Sequence, residues 1–217
     1  MYLTVVIFVV YVVLKLVKQL YESEKPNYYG NLGEERIGKL LKRDLNRDYT
    51  VYNNLLIETN TSIGTTQIDH VVVSPYGVFV IETKNMVGRI KGKKDNPNWI
   101  QFLNGKKPRK FLNPIKQNEQ HVNHLKSIFP SYAKENIHNF VVFGCKADLD
   151  SSILSKNKNV CYENKLNDCI SKYKKVVFSK EDMKNIKNII EVNNIKGKKA
   201  RNKHVQNVRA YREGGLK

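Results

Sequence analysis

The stretch Gln67-Ile68-Asp69-His70-Val71-Val72-Val73-Ser74-Pro75-Tyr76-Gly77-Val78-Phe79-Val80-Ile81-Glu82-Thr83-Lys84 decides the fold. Its two arms are rich in β-branched residues and read as strands. Between them, Ser74, Pro75 and Gly77 hold the first, second and fourth positions of a type I turn, so the arms form an antiparallel hairpin. With Ser74 facing Gly77, Val73 faces Val78, Val71 faces Val80, and Asp69 faces Glu82. Side chains alternate along a strand, which puts Lys84 on the face of Glu82 and opposite Gln67. Opposed residues have Cβ atoms about 4.5–5.5 Å apart, and like charges so placed are destabilising unless something compensates. A divalent cation does. Carboxylate oxygens suit Mg2+ (or Mn2+), which takes one or two protein carboxylates and completes its shell with water and phosphate oxygens. Lys84 adds a cation where a phosphate or an attacking water would sit. The plainer alternative makes Glu82 and Lys84 a surface pair on an edge strand. Against it, Val71, Val72, Val73, Phe79, Val80 and Ile81 make both faces of the hairpin apolar. That implies a buried sheet, in which charges are paired, metal-bound or functional.

Working outward, Gly30-Asn31-Leu32-Gly33-Glu34 precedes this hairpin, Gly88 follows Val80-Ile81-Glu82-Thr83-Lys84, and Asn113-Pro114-Ile115-Lys116-Gln117 comes later. Together with Ile68-Asp69-His70, this ordered series resembles the nuclease-related domain family, NERD, of the PD-(D/E)XK nuclease superfamily, over about residues 27–130. The full set in order is far more specific than the E-x-K element alone. The resemblance implies an α/β restriction-endonuclease-like fold, a mixed β-sheet flanked by helices. It implies Asp69 and Glu82 as metal ligands and Lys84 as the catalytic lysine. Glu34 would be the acidic residue of the first core helix, and Gln117 the polar residue of a later helix that approaches the same site. Ile68 stands where the superfamily name has a proline, a departure the superfamily tolerates. The implied activity is metal-dependent hydrolysis of phosphodiester bonds in DNA (or RNA). The alternative is a non-catalytic, membrane-tethered nucleic-acid-binding or scaffolding module with the same fold.

A chain of 217 residues suits one core with extensions. Its formal charge of +18 favours phosphate backbones or anionic lipid surfaces as partners. Lys and Asn are abundant throughout, so charge supports nucleic acid, DNA first, chiefly in combination with the carboxylate pair. Cys145, Cys161 and Cys169 are odd in number and lack framework spacing, which argues for reduced thiols rather than disulfides or zinc. Tyr2 to Leu14 carries no charge, and as a helix the first seventeen residues span about 25 Å, a little short of a hydrocarbon core of about 30 Å. No clear signal-peptide n-region or cleavage site flanks it, so an uncleaved transmembrane helix is expected over residues 1–20, in preference to a cleaved signal or a core helix. Lys15, Lys18 and Lys25 all follow the span. Positive-inside bias then makes this a single-pass protein of the cell membrane with its C-terminal domain cytoplasmic.

The expected division is an anchor helix over 1–20, a linker over 21–27, a nuclease-like core over 28–130, a completion of the α/β domain over 131–195 and a basic, disordered tail over 196–217. Ile37, Leu40, Leu41 and Leu45 have helical spacing and place Glu34 at a helix start, where a plain role is to stabilise the helix dipole. Tyr49 to Ile57 reads as a strand. Val87 to Gly92 and Trp99 to Phe102 read as short strands about a basic loop, with Trp99 a core anchor rather than a base-stacking platform. Asn113 and Pro114 open a helix that runs to about Phe129 and ends at Pro130. It presents Gln117, His121 and His124 on one face. Zinc held by the two histidines is the lesser reading, because they lack Cys or carboxylate partners at that spacing. Phe140 to Phe143, Asn159 to Tyr162 and Lys175 to Phe178 read as strands, and Ser179 with Asp182 as a capping box opening a helix through about Ile190. From Lys196 onward Lys and Arg dominate, which suits a solvated tail or one that holds nucleic acid or lipid.

Overall fold

In chain order the elements are α1 (Tyr2–Asp44), β1 (Thr50–Glu58), β2 (Thr65–Ser74), β3 (Gly77–Lys84), β4 (Gly88–Lys91), β5 (Asn98–Phe102), β6 (Arg109–Leu112), α2 (Pro114–Ile128), β7 (Ile137–Phe143), β8 (Ala147–Leu149), α3 (Ser151–Lys156), β9 (Val160–Tyr162), α4 (Leu166–Ile170), α5 (Lys180–Asn193) and α6 (Lys198–Arg212). The computed structural model describes residues 2–129 and 136–214, with the side chains of residues 2–4, 19–28 and 212 outside that description. The hairpin is β2 and β3, antiparallel, with Ser74↔Gly77, Val73↔Val78 and Val71↔Val80 in register. Ser74 stitches the turn: its Oγ donates to Gly77 O at 3.1 Å and accepts from Tyr76 N–H at 3.2 Å. Gly77 takes φ 142°, a conformation side chains resist.

The five-stranded sheet has the order β1-β2-β3-β7-β9. β1, β2 and β3 run antiparallel, whereas β7 lies parallel to β3 and β9 parallel to β7. Val71, Val73, Val78 and Val80 on one face pack with Val122 and Leu125 of α2 and Ile186 and Ile190 of α5. Val72, Phe79 and Ile81 on the other face meet Ile37 and Leu41 of α1 and Leu166 and Ile170 of α4. A second sheet of order β6-β5-β4-β8 closes a third cluster around Trp99, whose ring stacks on Phe143 and whose Nε1 donates to Lys93 O at 3.0 Å. The anchor reading of Trp99 therefore holds. The fold is α/β, with mixed sheets flanked by helices.

Three expectations change. First, α1 is one unbroken helix from Tyr2 to Asp44, so the residues expected as a linker are helical and Glu34 lies deep inside a helix. Its carboxylate is thus beyond reach of any N-terminal dipole. Among the described residues no helix is long and apolar enough to cross a membrane. The expected anchor falls partly on residues 1–4 and 19–20, whose side chains lie outside the description, as does Pro130, the expected stop of α2. Second, residues 198–212 form a helix rather than a disordered tail, because side chains of α6 find partners on β1 and the turn that follows it: Arg201 donates to Asn54 Oδ1 and O at 2.7 and 2.8 Å, and Asn207 Nδ2 to Ile63 O at 2.9 Å. Third, Lys175 to Phe178 is no strand; the N–H groups of Val177 and Phe178 both converge on Pro75 O, pinning this segment to the hairpin turn.

Candidate active site at the end of strand β3

Past Ile81 the ladder between β2 and β3 stops, His70↔Ile81 being its last pair. Strict register would set Asp69 directly across from Glu82. Instead, Asp69 Oδ2 accepts from Thr83 N–H at 2.7 Å. The cause lies on β1, where Asn54 takes φ 56° and leaves Asp69 without a ladder partner. Leu55, Ile57 and Ile68 share a cluster with Val71 and Val73, which uninterrupted alternation would place on the other face. The alternation therefore breaks at the opposed Asn54 and Asp69, with the register unchanged on either side, and the Asp69 carboxylate turns toward β3.

Glu82 lies on the face of Val78 and Val80, under α2. Lys84 Nζ donates to Glu82 Oε1 at 2.5 Å and to Gln117 Oε1 at 3.0 Å. Gln117 holds this position because α2 is fixed in rotation by buried amides. Asn118 Nδ2 donates to Val80 O and Phe140 O at 2.8 and 2.9 Å, and Asn139 Nδ2 donates to Ile115 O at 2.9 Å. Asn113 caps α2 through Ile115 N–H, as its sequence position promised, and its Nδ2 also gathers Lys94 O and Asn96 O at 2.7 Å each. One turn beyond Gln117, His121 Nε2 stands 3.5 Å from Glu82 Oε2, while its Nδ1 bonds Thr66 Oγ1 at 3.0 Å. Glu34 approaches from α1. Gly33 permits this, since a Cβ there would collide with the Asn85 side chain, whose Nδ2 donates to Tyr29 O at 2.7 Å.

The fold thus brings together Glu34, Asp69, Glu82, Lys84 and Gln117, all five residues singled out in the sequence. It adds the Thr83 amide and His121. The helical face of Gln117 pointed to His121; nothing in the sequence pointed to Thr83 N–H. His124, on the same face, does not reach Glu82.

Asp69 is 8% exposed and Glu82 3%. Burial, then the charges of Glu82 and Glu34, push the Asp69 carboxyl well above its ordinary range. Burial acts on Glu82 the same way, but Lys84 and His121 outweigh it and bring its pKa down to about 2. Glu34 is raised by burial and by Glu82. Burial works against the Lys84 ammonium, yet Glu82, Asp69 and Glu34 together hold its pKa above the ordinary lysine value. Three acids therefore crowd one lysine.

Such a site fits a hard divalent cation. Its donors are carboxylates, Asp69 is costly to ionise without added positive charge, and Glu82 Oε2 is buried without a hydrogen bond among the described residues. Also among the described residues, no group of three or more His, Cys, Asp or Glu is arranged to hold a metal, so the ion would rest on the acid pair and complete its shell with water and phosphate oxygens, as Mg2+ does.

Comparison with known proteins agrees with this geometry. Residues 29–144 match the nuclease-related domain, NERD, a span that runs from α1 to the end of β7 and takes in all five residues. The chain is similar to an uncharacterized protein of Bacillus anthracis, 32% identical over 182 residues, which is 83% of this chain and 84% of that one. No solved structure matches. With the motif order, the acid pair and the lysine of β3 in place over that span, the chain belongs to the nuclease-related domain family, within the PD-(D/E)XK-like nuclease superfamily.

Proposed function

We propose that this protein is a membrane-anchored, divalent-metal-dependent nuclease that hydrolyses phosphodiester bonds of DNA (or RNA), with the nuclease domain on the cytoplasmic side. The observation that carries the reading is the pair of buried acids at the end of β3, with Lys84 between Glu82 and Gln117. Asp69 and Glu82 would hold Mg2+ or Mn2+, which when bound acidifies water and offsets charge on the phosphoryl oxygens. Lys84 would orient the attacking water or stabilise the charge that develops on the phosphate, from a position Gln117 fixes. Glu34 would accept a proton from that water, a role suited by burial and Glu82, which raise its proton affinity.

The membrane part rests on α1. Val5, Ile7, Phe8, Val10, Tyr11 and Leu14 are all exposed, Phe8 by 65%, and they surround the helix rather than forming one stripe. A helix apolar on every side finds its partner in a core or a bilayer.

The test is cleavage of plasmid DNA and of single-stranded RNA by the purified full chain in detergent, with Mg2+, with Mn2+ and with EDTA. Metal-dependent nicking that vanishes in Lys84→Ala and Asp69→Ala is expected. Equal cutting by wild type and both variants would assign the activity to a contaminant, and metal-dependent binding without turnover would favour the non-catalytic module.

A further inference from the structure

Helix α6 lies outside the residues that match the family, so its role has to be read from this chain. It carries six Lys or Arg and no acid in fifteen residues. Arg201, His204 and Asn207 dock it: beside the Asn54 and Ile63 contacts, His204 Nδ1 bonds Thr65 Oγ1 at 2.8 Å. The segment before it is tied to the edge strand too, Ile195 N–H donating to Leu56 O at 2.8 Å. Thr65 is the neighbour of Thr66, which bonds His121, and His121 stands against Glu82. Thr65, Thr66 and His121 therefore stand between the helix and Glu82.

At about 100° per residue, the exposed residues Lys198, Lys199, Asn202, Lys203 and Gln206 fill the arc turned away from that docked side. Apart from Ala210 within it and the exposed Val205 at its edge, this arc is basic and polar. It lacks the broad apolar stripe with which a helix beds into a lipid interface. A row of ammonium groups on a rigid helix, set beside a site for phosphodiester chemistry, matches the spaced charges of a nucleic-acid backbone.

We propose that α6 is a phosphate-backbone platform, on which Lys198, Lys199 and Lys203 grip a nucleic-acid strand and lead it to the end of β3. That the strand becomes a substrate there rests on the nuclease reading; that it binds α6 does not.

The experiment uses the full chain without divalent cation, so that binding is read apart from cutting. Fluorescence anisotropy with a labelled DNA duplex is recorded between about 50 and 200 mM salt, where backbone contacts show as a slope of log affinity against log salt. Three proteins are compared: wild type, the triple variant Lys198→Gln, Lys199→Gln, Lys203→Gln, and a control with equal charge loss, Lys172→Gln, Lys174→Gln, Lys175→Gln. Gln keeps helix propensity, and the α6 positions replaced are exposed, so folding is retained. The slope should fall by up to about 2.7, roughly 0.9 for each phosphate no longer neutralised, in the α6 variant only. An unchanged slope, or an equal fall in the control, would overturn the proposal. So would loss of binding to phosphatidylserine vesicles with DNA binding intact, which would make α6 a lipid contact. A chain that binds DNA through α6 yet never cuts would defeat the nuclease reading and leave this one standing; a chain that cuts with a slope indifferent to α6 would do the reverse.

Discussion

Replacing Lys84 by Met removes an ammonium that balances three acids while keeping most of the side chain's bulk. In the intact protein Glu82 falls from an ordinary 4.5 to about 2, with Lys84 the foremost force drawing it down against burial. At about 1.4 kcal/mol for each tenfold change in acidity, that difference is worth about 3 kcal/mol. The figure agrees with the roughly 3–5 kcal/mol that breaking a buried ion pair costs, because the partner left behind stays charged and desolvated. Lys84 is 20% exposed and Glu82 3%, so solvent screens the pair little. The sign with pH follows. A carboxylate whose folded pKa is depressed contributes stability that is present above its unfolded pKa near 4.5 and lost as pH falls toward 2. Lys84→Met should therefore unfold at lower urea than wild type at pH 7, by about 3 kcal/mol, and the gap should close on acidification. Mg2+ should restore more stability to the variant than to wild type, since a bound cation replaces the missing charge. Urea titrations at pH 7 and near pH 3, with and without Mg2+, decide this. A variant as stable as wild type at pH 7, or a gap that widens in acid, would refute a buried Glu82–Lys84 pair.

Asp69→Asn should raise the melting temperature in EDTA at pH 7 while abolishing cleavage: the folded state favours protonated Asp69, so ionising it above pH 4 costs stability that the amide avoids. Thermal melts of the two proteins from pH 4 to 8 would show the advantage of Asn growing with pH, and a lower melting point for the variant at pH 7 would contradict it. Asn118→Ala should cost about 2–4 kcal/mol in urea unfolding, because it leaves Val80 O and Phe140 O buried without their shared donor and frees α2 to rotate. Gly33→Val should lower cleavage more than stability, since the added side chain meets Asn85 and pushes Glu34 away from β3; activity and unfolding measured side by side separate the two effects.

Where one residue type dictates its own geometry, the sequence was legible. Ser74, Pro75 and Gly77 encode the turn, Asn113 with Pro114 encodes a helix start, and Ser179 with Asp182 forms the capping box its spacing announces. The acids and the lysine followed from strand alternation, which holds through five ladder pairs. Alternation then fails at Asn54, where a positive φ that the sequence does not announce redirects Asp69 to a backbone amide. α6 was illegible for a related reason: its composition is that of a solvated tail, and only contacts with Asn54, Ile63 and Thr65, far away in the chain, make it an ordered helix. Likewise Val176 and Val177 look like strand residues, but tertiary contact with Pro75 O decides their conformation.

Calorimetric titration of Mn2+ into the full chain, beside Asp69→Asn and Glu82→Gln, tests most directly whether the two acids share a cation. One ion should bind each wild-type chain with measurable heat, and either substitution should remove that heat while the protein stays folded. Binding that survives both substitutions would place the metal elsewhere and leave the acid pair of β2 and β3 without the chemistry assigned to it.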